Sequence, residues 1–193
     1  MTALAVLRHG PTEWNEKGLV QGRSDVPLSA AGRSIVTTWR VPSRFDGFVW
    51  MSSPLARSRE TAHLLCGDTV VTDGRLAEMS WGEWEGRTLT DLRTELGDLM
   101  IAWEARGLDF RAPDGESPRD VQERLRPLLA ERAMDGTDTV AVCHKGVIRA
   151  LYALAIGWDM TDKPPDKMQD NCMHLFRLDQ AGRPAVTELN IRL

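Results

Sequence analysis

The sequence predicts an α/β fold, a largely parallel sheet with helices on both faces, and three observations carry that reading. Short runs at Leu4–Leu7, Phe48–Met51 and Thr139–Cys143 have the length and composition of strands buried on both faces. Between them lie stretches with apolar residues at helical spacing, as at Val121, Leu125, Leu128 and Leu129. Helix-start residues precede several of these stretches, so strand and helix alternate along the chain.

Taken in order after the first strand, Ser29 is an N-cap before a short helix over Ala30 to Trp39. The Phe48–Met51 strand leads into Ser53-Pro54, an N-cap with proline at the first helical position, and a helix to about Leu65. Thr69 to Thr72 is a weaker strand, and Leu89 to Ala105 a helix broken near Gly97. Ser117-Pro118-Arg119-Asp120 has the capping-box pattern, and Pro127 predicts a kink in the helix that follows. After the Thr139–Cys143 strand, Val147 to Ile156 is an apolar helix ending at Gly157. Strands near Cys172–Leu178 and Ala185–Asn190 flank a hairpin turn at Asp179 to Pro184. A chain of 193 residues is expected to form one domain over 1–193.

Composition narrows the function classes. Hydrophobic residues make up 42% and charged residues 27%, ordinary globular usage that excludes wholesale disorder. The 24 basic and 28 acidic residues give a net charge of -4, which argues against nucleic acid as the main partner. No apolar run reaches the roughly 18 residues of a membrane span, and Met1 to Leu7 lacks the basic start and cleavage site of a signal peptide. Cys66, Cys143 and Cys172 are widely spaced, so neither a disulfide framework nor a cysteine zinc site is indicated. The expectation is a soluble, cytoplasmic protein whose partner is a small molecule rather than a nucleic acid or a membrane.

Ligands of such sheets bind outside the C-terminal strand ends, and that rule selects the polar residues to examine. Arg8-His9-Gly10 follows the first strand, Arg57 lies in the first turn of the helix after the second, Glu78 comes after the third, and His144-Lys145-Gly146 follows the Thr139 strand. Two histidines and two arginines at one sheet edge make a cationic pocket in an acidic protein. The arginine fork suits phosphate oxygens, and a helix start near Pro54 adds a positive dipole end. Such charges favour a neutral histidine with a free nitrogen, able to attack phosphorus. A partly buried Glu78 stays protonated and can hand its proton to a leaving alkoxide. Together these groups point to phosphoryl transfer through a phosphohistidine.

The segment Leu7-Arg8-His9-Gly10-Pro11-Thr12-Glu13-Trp14-Asn15 resembles the LRHGxTxWN signature of the histidine phosphatase, or phosphoglycerate mutase-like, superfamily. The resemblance continues through Gln21-Gly22-Arg23-Ser24-Asp25, Pro27-Leu28-Ser29, Gly32 and Ser52-Ser53-Pro54-Leu55-Ala56-Arg57-Ser58. It recurs at Leu76-Ala77-Glu78, Gly82-Glu83-Trp84-Glu85-Gly86, Gly115-Glu116-Ser117 and Val142-Cys143-His144-Lys145-Gly146. It implies a three-layer α/β/α phosphoglycerate mutase-like fold, mostly parallel with one antiparallel strand. It also implies that His9 is the phosphorylated nucleophile, that Arg8, Arg57 and His144 hold the phosphoryl oxygens, and that Glu78 is acid and then base. Asn15, Gln21 and Gly22 would line the substrate side, with no metal and no cofactor.

Two positions depart from the pattern: Cys143-His144-Lys145-Gly146 stands where relatives often read Ser-His-Gly-Gly, and Pro11 replaces a more usual polar residue. Both bear on substrate preference. Lys145 is a candidate substrate contact, one that would suit a second anion. Glu83 and Glu85 read as surface carboxylates, Cys143 as a small buried residue, His63 and His174 as structural, and Trp81 and Trp84 as packing for the Glu78 loop. The expected function is a phosphomonoesterase for a small phosphorylated metabolite. A cofactor-dependent phosphoglycerate mutase uses the same residues, and a non-catalytic phospholigand-binding member is a third reading. Mutases are usually longer, and a chain ending at Leu193 soon after its last strand favours water as the acceptor.

Overall fold

A computed structural model describes residues 1–193. Six strands form one sheet: β1 (Thr2–Arg8), β2 (Val49–Ser52), β3 (Val70–Thr72), β4 (Thr139–Cys143), β5 (Cys172–Leu178) and β6 (Pro184–Arg192), in the order β3-β2-β4-β1-β5-β6. The pairs β2–β3, β2–β4 and β1–β4 are parallel, while β5 runs antiparallel to both β1 and β6. One strand is thus reversed in an otherwise parallel sheet, as expected.

The helices are α1 (Glu13–Glu16), α2 (Ala30–Val36), α3 (Ala56–Cys66), α4 (Leu89–Leu96), α5 (Asp98–Glu104), α6 (Pro118–Asp135) and α7 (Lys145–Ile156). Alternation along the central strands builds two cores, because successive side chains point to opposite faces. Leu4, Val6, Ala141 and Cys143 pack with Val121, Leu125, Val147 and Leu151 of α6 and α7. Ala5, Leu7, Val140 and Val142 pack with Val36 and Ala62 of α2 and α3. The result is three layers. A separate cluster of Trp84, Leu92, Met100 and Ala112 supports α4 and α5. No helix is long and apolar enough to cross a membrane.

Several boundaries differ from the sequence expectation, each for a local reason. α2 stops at Val36 rather than Trp39, where the Thr37 and Thr38 hydroxyls donate to the carbonyls of Ser34 and Ile35. α3 starts at Ala56, not Pro54, and Ser53 is not its cap. The Asp25 carboxylate accepts from Ala56 N at 2.6 Å, so the protein's own anion occupies this helix start. α6 keeps its capping box at Ser117 and Asp120 and continues through Pro127 to Asp135. α7 begins two residues early, with His144 at the N-cap.

The turn after β1 is pressed into place by α2. Ser29 N donates to Pro11 O at 3.1 Å, and Gly32 packs so close to that carbonyl that a Cβ would fall inside contact distance of a backbone atom. Backbone has to move to make room. Gly32→Ala is expected to cost roughly 1–3 kcal/mol of stability, as overpacking does. Urea unfolding checks this, and an unchanged midpoint would contradict the packing argument.

Candidate functional site

Parallel pairing fixes the centre of the site. β1 and β4 are neighbours with Arg8 opposite Cys143, so the next residues, His9 and His144, leave the sheet side by side at its C-terminal edge. Their ring centroids are 5.1 Å apart, and both side chains are buried. His9 N donates to Cys143 O at 3.0 Å, extending the ladder by one bond and holding the nucleophile candidate to the sheet.

The partners of His9 settle its tautomer. Nδ1 lies 2.7 Å from Gly10 O, which can only accept, so Nδ1 carries the proton. Arg57 Nε donates to Nε2 at 3.2 Å, so Nε2 presents a lone pair. Burial, followed by the charges of Arg8 and Arg57, holds His9 well below the usual histidine value.

Arg57 is delivered by the first turn of α3 and has no solvent exposure. Its Nη1 and Nη2 each donate at 2.8 Å, to the carbonyls of Ser24 and Gly22. Thr61, one turn on, accepts from Gly10 N at 2.9 Å and donates to Arg57 O at 2.7 Å, joining the His9 turn to the helix. His144 Nε2 lies 2.7 Å from Ser53 Oγ and 3.2 Å from Ser58 Oγ, while its Nδ1 is buried without a partner. Ser53, read from sequence as a cap, is therefore a partner of His144. Burial and the neighbouring His9, Arg57 and Arg8 hold His144 well below its usual value too.

Arg8 pairs with Asp170 at 2.8 Å through Nη1, leaving its buried Nε unpartnered. Glu78 is partly buried; its carboxylate accepts from Met79 N at 2.8 Å and Gly146 N at 3.3 Å. Burial pushes its carboxyl above the ordinary range, against the pull of those N–H groups and of Arg57 and Arg8. The segment is braced from α6: Arg124 donates to the carbonyls of Arg75 and Ala77, and its partner Glu116 accepts from Ser80 N at 2.9 Å.

The five principal residues named from sequence thus converge, and the others divide. Gly22 contributes the carbonyl that holds Arg57. The Asn15 side-chain carbonyl is committed to the capping box of α1, accepting from Thr12 N at 3.1 Å. Gln21 is buried, with Oε1 accepting from Thr12 Oγ1 at 3.0 Å. Lys145 is exposed at the start of α7. Trp81 and Trp84 pack with Phe110 beside the Glu78 loop, and burial holds the Cys143 thiol far above its usual value.

Glu85 corrects the sequence reading. Rather than a surface carboxylate, it accepts from Arg23 N and Ser24 N at 2.8 Å, Ser24 Oγ at 2.6 Å and Trp81 N at 3.2 Å. It clamps the loop whose carbonyls hold Arg57 to the loop that follows Glu78. No sequence spacing announced this, because the Arg23 and Ser24 donors lie 62 and 61 residues away in the chain.

The sequence model of the histidine phosphatase superfamily (branch 1) matches residues 4–192. A glucosyl-3-phosphoglycerate phosphatase of Mycolicibacterium vanbaalenii is 34% identical over 176 residues, covering 83% of this chain and 77% of that protein. A Citrobacter koseri protein named as a probable phosphoglycerate mutase is 31% identical over 163 residues, covering 81% and 76%. The solved phosphoserine phosphatase of Entamoeba histolytica, in complex with 3-phosphoglyceric acid, superposes with a TM-score of 0.82 at 26% identity, covering 98% of this chain and 97% of that one.

Two outcomes follow from the site's construction. Glu85→Gln turns an amide donor toward groups that themselves donate, leaving part-buried N–H groups unpaired at roughly 1–3 kcal/mol. A surface carboxylate would change stability by no more than about 0.5 kcal/mol, so urea unfolding separates the two readings. The second outcome concerns pH. His9 and His144 lie well below 6.5, and burial pushes His174 down to about 4. Well above pH 6.5 all three are neutral in both states and contribute nothing to the pH dependence. As pH falls below 6.5 the unfolded chain takes up protons that the fold refuses, and stability declines by up to about 1.4 kcal/mol per unit for each. Glu78 works the other way, since the fold protonates it before the unfolded chain does. Three groups oppose one, so unfolding at pH 5.5 is expected to need less urea than at pH 7.5; an equal or higher midpoint would overturn this balance.

Proposed function

The chain belongs to the histidine phosphatase superfamily, and from that footing we propose that it is a phosphomonoesterase that hydrolyses a small phosphorylated metabolite through a phosphohistidine on His9. The observation that carries the reading is the His9 ring. Gly10 O fixes the proton on Nδ1, and Nε2 keeps its lone pair beside a buried guanidinium. The relatives named as phosphatases act on small phosphorylated metabolites, which supports the same class here.

In the proposed reaction Nε2 attacks phosphorus as the bond to the ester oxygen breaks. Glu78, whose carboxyl burial pushes above the ordinary range, gives its proton to the departing alkoxide. Charge growing on the phosphoryl oxygens is met by Arg8, Arg57 and His144, and positive charge on the phosphorylated ring by the Gly10 carbonyl. In the second half-reaction a water gives its proton to the Glu78 carboxylate and attacks phosphorus. The P–N bond breaks, orthophosphate leaves, and His9 and Glu78 regain their starting forms. Asn15, Gln21 and Gly22 shape the substrate side through the loop that holds Arg57. Arg8 and Arg57 supply the positive charge that a dication supplies elsewhere, so no metal is needed in the proposed reaction. Three free cysteines agree with a reducing, cytoplasmic setting, and we take the chain as a single working domain.

The relative named as a mutase keeps one second reading alive, in which a phosphoglycerate hydroxyl rather than water accepts the phosphoryl group. Released orthophosphate separates them.

With p-nitrophenyl phosphate, alkaline quenching during turnover is expected to trap an acid-labile phosphohistidine that His9→Ala lacks, with chelators leaving the rate unchanged. Glu78→Gln should slow an alkyl monoester by roughly 10²–10⁴, the usual contribution of a general acid, and the nitrophenyl ester much less. Full activity in His9→Ala, or equal losses on both esters in Glu78→Gln, would contradict the assigned roles.

A further inference from the structure

Beside the histidine pair lies a cleft of about 170 Å³, lined by Arg8, Lys145, Arg149, Lys167, Asp170 and His174 among others. At roughly 30 Å³ per water that volume holds five or six waters, enough for a short carbon chain with one charged end. Arg8 joins it to the site, since its guanidinium lines the cleft and its charge acts on both His9 and Glu78. Lys145, also in the lining, directly follows His144, whose ring stands 5.1 Å from that of His9.

Its charge is unbalanced. Asp170 is the one carboxylate in the lining, and it is taken by Arg8 at 2.8 Å. Lys145 and Lys167 make no ion pair with any carboxylate, and Arg149 lies over the Trp158 ring at 5.3 Å from its centroid. His174 turns Nδ1 to the Asn190 N–H at 3.3 Å, which leaves Nε2 as its donor; burial keeps the ring neutral. Two lysines without an ion pair at one cleft give it a local excess of positive charge in a protein of net charge -4, which favours an anion there.

We infer that this cleft is a subsite for a second anionic group of the substrate, a carboxylate carried a few atoms beyond the phosphoryl group and held between Lys145 and Lys167. The inference deepens the phosphomonoesterase reading and rests on it for the placement of the phosphoryl group. It sets the substrate class: short phosphorylated acids over phosphorylated alcohols of the same length. Arg8 then has two tasks, with Asp170 holding one edge of its fork on the cleft side while the rest faces the phosphoryl group.

The test compares 3-phosphoglycerate with glycerol 3-phosphate, which differ by a carboxylate in place of a hydroxymethyl group. Calorimetry on His9→Ala measures binding of both without turnover. We expect 3-phosphoglycerate to bind roughly tenfold tighter or more, and each of Lys145→Ala and Lys167→Ala in that background to narrow the gap by roughly twofold to fivefold, the range of a partly exposed ion pair. Asp170→Asn, which removes the opposing carboxylate, should widen the gap. Equal affinities for the two ligands, a gap that neither lysine variant changes, or a gap narrowed by Asp170→Asn would each overturn the subsite. Hydrolysis of p-nitrophenyl phosphate by the unmodified protein is scored separately. Its absence would defeat the phosphatase reading while the binding gap still decided the subsite.

Discussion

A guanidinium with no access to solvent has to be satisfied by whatever surrounds it, and most of the site follows from how Arg57 is satisfied. Removing a charge from water costs several kcal/mol even after relaxation, and a carboxylate partner is the usual compensation. Arg57 has none in direct contact; its five donors meet two backbone carbonyls and one imidazole nitrogen. Dipoles offset part of the cost and leave the positive charge uncancelled. In the proposed reaction a dianionic phosphoryl group completes the arrangement, and the uncancelled charge of Arg57 serves as anion affinity. The carbonyls must face inward for this to hold, and Glu85 keeps them there by gathering the N–H groups of the same loop.

The sheet supplies the rest of the geometry at little cost. Because β1 and β4 are adjacent and parallel, their side chains are in register, and residues one step past the paired ends share an edge without any dedicated loop. β2, on the other side of β4, ends at Ser52 and delivers Ser53 to the same edge. The helices that follow these strands contribute from their first turns, Arg57 and Ser58 from α3 and Gly146 from α7. A reversed strand beside β1 contributes differently. β5 starts at this edge rather than ending there, so the segment before it brings Asp170 to Arg8.

How much of this was legible in the sequence depended on whether the signal was local. Apolar runs and caps gave the strands and most helices, because the residues that decide them are neighbours in the chain. Arg8, His9, Arg57, Glu78 and His144 were legible through strand-end positions and the family signature. Ser53 was misread since a serine before proline carries the mark of a cap, and only the fold shows its hydroxyl at His144. Asn15, expected on the substrate side, also closes a capping box through its side-chain carbonyl, a local role the motif does not announce. Glu85 and Asp170 were not legible, because the Arg23 and Ser24 partners of one and the Arg8 partner of the other lie 61 or more residues away.

One physical cause sets the protonation states that the proposed chemistry needs. Burial disfavours charge on any group, so it drives the imidazoles of His9 and His144 down and the carboxyl of Glu78 up. A nucleophile that must be free of its proton and an acid that must hold one are therefore both favoured by the same low-dielectric surroundings. Local contacts refine the outcome. Arg8 and Arg57 push His9 further down, while the Met79 and Gly146 N–H groups pull Glu78 back toward the ordinary range, which favours release of its proton in the first half-reaction. Gly146 serves that balance through its size as well. A Cβ there would stand 2.5 Å from Glu78 Oε1, displacing the carboxylate from the N–H groups that tune it. Glycine at this place, one residue beyond the unusual Lys145, is thus a requirement of the proposed acid and base, a constraint that the exposed lysine does not share.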